Sequence, residues 1–87
     1  PYYCLEQTTS RLFAASFSEQ PSMDTIQKGY NQLATLQKFD GSFSLWAQNG
    51  PTEAWLTLYA ADMLQLMKIK GLDVPNALTQ NLNAWIK

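Results

Sequence analysis

Cys4 and Gln7 stand three residues apart in the run Cys4-Leu5-Glu6-Gln7. At the N-terminus of a helix that spacing puts a thiol and a carboxamide on one face, within reach of each other. Loss of ammonia between the Cys4 sulfur and the Gln7 side-chain carbonyl would close an internal thioester. Such a ring is an acyl group open to attack by an amine or a hydroxyl, because the thiolate is a good leaving group. A helix N-terminus would also favour that thiolate once formed. Spacing alone favours a plainer role, a lone cysteine packed as a small hydrophobe. Histidine-assisted nucleophiles are excluded. The chain has no histidine, so no Ser-His or Cys-His pair, and its single cysteine permits neither an intrachain disulfide nor a zinc site built from several cysteines.

Four helices are expected to position these residues. The first runs from about Cys4 to Ser18, with Leu5, Thr9, Leu12, Phe13, Ser16 and Phe17 returning at three- and four-residue steps. Pro21 breaks the pattern, and Ser22 is placed to cap a second helix to about Lys38, with Ile26, Tyr30, Leu33 and Leu36 as its buried stripe. Gly29 inside that stripe suits a close approach between helices. A loop from Asp40 to Pro51 carries Phe43, Leu45 and Trp46, bulky apolar groups that should pin it to a body. Thr52 is placed to cap a third helix, Glu53 to Ile69, which has two apolar stripes: Trp55, Tyr59, Met63, Leu66 and Met67, and Leu56, Ala60 and Leu64. Gly71 ends it. Pro75 is expected to open a fourth helix with Val74, Leu78, Leu82, Trp85 and Ile86 turned inward. No segment alternates with the period of two that a strand needs, so the class is all-α, built as two helix hairpins.

Composition narrows the function further. With 46 % hydrophobic and only 15 % charged residues, so short a chain has more apolar surface than it can readily hide, and some of that surface should belong against something else. A net charge of −1, with six scattered basic residues, gives no footprint for nucleic acid. No run approaches the roughly 18 apolar residues of a membrane span. Without a start methionine or signal peptide, the chain is expected to be an internal segment.

The run Pro1-Tyr2-Tyr3-Cys4-Leu5-Glu6-Gln7-Thr8-Thr9-Ser10-Arg11 resembles the thioester segment of bacterial α2-macroglobulins, where Gly-Cys-Leu-Glu-Gln is followed by Thr and Ser residues. Asp40-Gly41-Ser42-Phe43-Ser44-Leu45-Trp46 and Trp55-Leu56-Thr57-Leu58-Tyr59-Ala60 look like two further landmarks of the same domain, in the same order. The resemblance implies that residues 1–87 are a partial thioester domain, the N-terminal helical hairpins of an α/α toroid. It implies a non-enzymatic role in a broad-spectrum endopeptidase inhibitor. In such a protease trap Cys4 gives the thiol and Gln7 the acyl carbon that acylates a lysine of an attacking protease. It further implies no cofactor or metal, and a periplasmic location with the full-length parent anchored to the membrane. One position departs from the pattern: Tyr3 stands where the family has glycine.

A second resemblance involves Gln37, Asp40-Gly41-Ser42-Phe43 and Trp46, which look like the glutamine-tryptophan repeat of terpene cyclases, another α/α ring. Gln37 would tie the loop to a helix end while Gly41 makes the turn and aromatics stack. The acidic cluster of those enzymes is missing, since Asp24, Asp40, Asp62 and Asp73 are isolated. The rival functions are therefore a fragment of such a cyclase or prenyltransferase, and a non-covalent helical interaction module. Met63 and Met67 are expected to be core filler rather than ligands, and Trp46, Trp55 and Trp85 core aromatics. An excised pair of hairpins is expected to self-associate as a dimer through its uncovered stripes.

Overall fold

The computed structural model describes residues 4–20, 22–45 and 50–86. Four helices occur among them: α1 (Leu5–Ser16), α2 (Met23–Leu36), α3 (Ala54–Lys70) and α4 (Asn76–Ile86). No strand forms among the described residues; two isolated antiparallel bridges, Gln37 with Phe43 and Ser44 with Thr52, brace the loop between the hairpins. The class is all-α, as the periodicity predicts.

Helix limits follow local chemistry. The Ser22 hydroxyl accepts the Thr25 N–H at 3.3 Å and caps α2. α2 stops at Leu36, two residues before Lys38, because Gln37 turns extended to bridge Phe43. Thr52 does not cap α3, contrary to expectation. Glu53 holds that position without a side-chain cap, while the Thr52 hydroxyl is engaged by Ser42 Oγ at 2.9 Å and by the Lys38 ammonium at 3.2 Å. Gly71 ends α3 in the left-handed region at φ 99°. Pro75 immediately precedes α4 and opens it, its carbonyl accepting the Leu78 N–H at 3.1 Å and the Thr79 N–H at 3.5 Å to close the first turn.

One core joins all four helices and the loop. Leu5 and Leu12 of α1 meet Ile26, Tyr30, Leu33 and Leu36 of α2. Ala60, Met63, Leu64 and Met67 come from α3, Leu78 and Leu82 from α4, and Phe43 from the loop. Met63 and Met67 are core filler, as expected. A Cβ at Gly29 would lie 2.8 Å from Leu12 Cδ1, so this glycine does mark the close approach of α1 and α2. The hairpins are stitched at a distance by Tyr30, whose hydroxyl donates to the Asp73 carbonyl at 2.6 Å. Burial, then the nearby Asp73 charge, raises the Tyr30 pKa above the usual phenol value, so it stays a donor at neutral pH.

Several expected core residues are exposed. Trp55 is 79 % exposed, Tyr59 42 % and Leu66 48 %. α1 and α4 pack against the Thr57–Met67 side of α3, and these residues lie on the other, more open side. Ile69 and Leu58 extend the same bare face. Ile86 is half exposed beyond the core end of α4. Phe13 and Phe17 form a rim pair, ring centroids 4.8 Å apart, with the Lys70 ammonium 5.0 Å from the Phe17 ring centre. Trp85 is half-buried, and Trp46 lies outside the described residues.

Candidate functional site

Cys4 is the N-cap residue of α1, with extended backbone (φ −83°, ψ 168°) and no hydrogen bond from its side chain to the helix. Counting along the helix, Leu5, Glu6 and Gln7 are its first three residues, so Cys4 and Gln7 occupy the N-cap and N3 positions. In a capping box the N3 side chain reaches back over the first turn to the N-cap backbone N–H. The structure thus places the two predicted site residues at the two ends of the first turn of α1. Cys4 is a half-buried free thiol, and Gln7 is exposed. Glu6 is exposed as well. Tyr2 and Tyr3 lie outside the described residues.

The turn is fixed from both sides. The Thr8 N–H donates to the Cys4 carbonyl at 2.9 Å, closing the first helical turn. The Leu5 N–H, one of the donors that a helix start leaves open, goes to the Leu45 carbonyl at 2.9 Å. Leu5 itself is fully buried. The loop that begins at Asp40 therefore supports the thiol turn directly.

That loop is held by a set of polar contacts. The Gln37 amide nitrogen donates to the Gly41 carbonyl at 3.0 Å and to the Leu78 carbonyl at 3.2 Å, tying the end of α2 to the turn and to α4. The Asp40 carboxylate accepts from Ser42 Oγ at 2.6 Å and from the Ser42 N–H at 3.0 Å. These bonds hold its pKa below the usual carboxylate value, first through the Ser42 hydroxyl and then through its N–H. Buried Thr57 accepts the Phe43 N–H at 3.1 Å while its hydroxyl donates to the Glu53 carbonyl at 2.6 Å. Gln37 and Gly41 thus have the tying and turning roles expected of them, and these roles are architectural.

Sequence reasoning overlooked two residues of this corner. Thr8 and Ser44 are fully buried, and neither hydroxyl has a hydrogen-bond partner among the described residues. Position offers a hint for Thr8, one turn after Cys4; for Ser44 nothing local distinguishes it.

Comparison with known proteins bears on both the helices and the loop. The family model of the A-macroglobulin TED domain matches residues 2–86. The α2-macroglobulin of Escherichia coli strain K12 is 34 % identical over 89 residues, covering 86 % of this chain and 5 % of that protein. The crystal structure of native E. coli α2-macroglobulin from domain MG7 to the C-terminus superposes with a TM-score of 0.85 at 30 % identity, over 99 % of this chain and 16 % of that one. The crystal structure of Salmonella α2-macroglobulin reacted with methylamine gives a TM-score of 0.79 at 34 % identity, over 95 % of this chain and 6 % of that one. The chain therefore spans only a small part of the relatives it matches, and the shared fold is toroid-like and all-helical. Because the match runs through the Cys4 turn, the Gly41 turn and α3 together, the chain belongs to the A-macroglobulin TED domain family of the bacterial α2-macroglobulins.

Proposed function

We propose that Cys4 and Gln7 form an internal thioester, and that this chain is the part of a covalent protease trap that carries it. The observation supporting this reading is the placement of Cys4 at the N-cap and Gln7 at the N3 position of α1. Attack by a protease lysine on the Gln7 acyl carbon would leave an amide to the protease and a thiol on Cys4. The protein would act as an endopeptidase inhibitor in the periplasm, anchored through its full-length parent, with residues 1–87 as the N-terminal hairpins of the ring. The Salmonella relative reacted with methylamine is in keeping with acyl chemistry in the family.

The test uses the protein that carries this segment with its natural flanks. Its intact mass should fall one ammonia short of the encoded value. Methylamine should add at Gln7 and release one titratable thiol, and a Cys4→Ala variant should take up none. An encoded mass together with a thiol titratable before methylamine is added would overturn the assignment.

The bare face of α3 supports a second expectation. The isolated 87-residue chain should form a symmetric dimer at micromolar concentration, covering Trp55, Tyr59, Leu66 and Ile69, which in the parent would meet neighbouring helices. Burying such side chains gains about 1.5–3 kcal/mol each. Sedimentation velocity checks this: Trp55→Glu with Ile69→Glu should return the chain to a monomer, and a monomeric wild type would refute it.

A further inference from the structure

The more open side of α3 is not uniformly apolar. At 3.6 residues per turn, Trp55, Leu58, Tyr59, Leu66 and Ile69 all fall within about 60° of Asp62 around the helix. These five are exposed apolar or aromatic side chains, and exposed Asp62 stands at the middle of their stripe. Trp55, Leu58, Tyr59 and Asp62 together line a groove of about 140 Å³. Nothing on the helix neutralises the carboxylate. The positions three and four residues away are Leu58, Tyr59, Gln65 and Leu66. Asp62 has no ion pair or side-chain hydrogen bond among the described residues. Lys68 lies about 120° away around the helix, and the Lys70 ammonium donates to the Ser16 carbonyl.

A purely apolar cover over this stripe would strip Asp62 of water and give nothing in return. A second copy of the chain brings the same stripe and no cation for Asp62. The charge therefore specifies what a lasting cover must carry. Building on the reading that this side of α3 meets neighbouring helices of the parent, we propose that the segment covering it presents an arginine. Its guanidinium pairs with Asp62 and lies against the rings of Trp55 and Tyr59. Arginine fits this groove better than lysine. The guanidinium is planar, so it can stack on an aromatic face while its N–H fork meets a carboxylate. It is also more weakly hydrated than an ammonium and loses less on being covered. A cavity of about 150 Å³ holds a flat ring the size of benzene, so the groove has room for the flat group.

Hydrogen exchange of the α3 amides, in the protein that carries this segment with its natural flanks, tests the assignment. Asp62→Leu is the deciding variant, because an apolar cover would welcome it and an arginine would not. The α3 amides should exchange about tenfold faster, or more, in Asp62→Leu than in wild type, since the variant leaves a covered cation unpaired. Asp62→Asn should act in the same direction and more weakly, its amide oxygen still accepting from the guanidinium. Phenylglyoxal labelling read by mass spectrometry should find one arginine outside residues 1–87 that is protected in wild type and modified in Asp62→Leu. Unchanged or slower α3 exchange in Asp62→Leu would overturn the assignment, as would arginine labelling identical to wild type. Trp55→Glu separates this failure from that of the reading beneath it. If Trp55→Glu also leaves α3 exchange unchanged, no neighbour covers this side. If it speeds exchange while Asp62→Leu does not, a neighbour covers the side without an arginine.

Discussion

Gly41→Ala is expected to lose about 4 kcal/mol or more of stability, enough to leave a chain of this size largely unfolded at room temperature. Two costs combine. Gly41 has φ 96°, a left-handed conformation that costs an L-residue roughly 1–2 kcal/mol. A Cβ there would also lie 1.7 Å from the Asn81 carbonyl oxygen, 2.5 Å from its carbon and 3.2 Å from Trp85 Cβ. The first two neighbours are backbone, so α4 as a whole must move to make room. That motion draws Leu78 and Leu82 from the core and strains the bond from Gln37 to the Leu78 carbonyl. Gly71 supplies the control. Its φ is 99°, yet a Cβ there meets nothing within 4 Å, so Gly71→Ala should lose only about 1–2 kcal/mol. Urea titrations followed by helical circular dichroism compare the two. Equal losses would mean that the Gly41 turn does not rest on α4.

Phe43→Ala should cost about 3–5 kcal/mol, the range for deleting a buried phenyl ring. Phe43 is fully buried although it belongs to a loop. Its backbone is held independently, with the carbonyl accepting the Glu53 N–H at 2.9 Å and the N–H donating to Thr57. The main chain cannot readily close over the space the ring leaves, which places the expected loss toward the upper end of that range. Two residues on, the Leu45 carbonyl holds the Leu5 N–H, so the same variant should loosen the turn that carries Cys4. Hydrogen exchange at Leu5 provides a separate reading: protection there should fall further than at Leu33, deep in α2. A loss below about 1.5 kcal/mol would show the loop collapsing onto the vacated space and would contradict its rigidity.

Much of this architecture can be read from the residues in order, and the reasons are local. The period of apolar positions locates four helices, Ser22 caps as its type suggests, and Gly71 stops α3. The Cys4–Gln7 pair is equally local, because an N-cap and an N3 position depend only on where a helix begins. What escapes such reading depends on contacts between distant segments. Thr52 looks like a cap, but its hydroxyl is claimed by Ser42 and Lys38. Trp55 has the period of a core residue, yet period cannot say whether a neighbour exists to cover it. The unpaired state of Thr8 is likewise invisible in sequence, because it depends on what packs over the first turn of α1.

The two bonds of the Gln37 carboxamide span very different lengths of chain. Gly41 is four residues away, whereas Leu78 is 41 residues away. During synthesis, where N-terminal elements emerge first, the nearer acceptor is available while α3 and α4 are still unmade. The bond to Gly41 can thus form within the first half of the chain, while the loop's bonds to Thr52, Glu53 and Thr57 wait for the residues that begin α3. Closing the longer interval adds little entropy cost for its length, since that cost grows only with the logarithm of the loop. One side chain therefore joins the most local contact of the loop to one of the most distant in the chain.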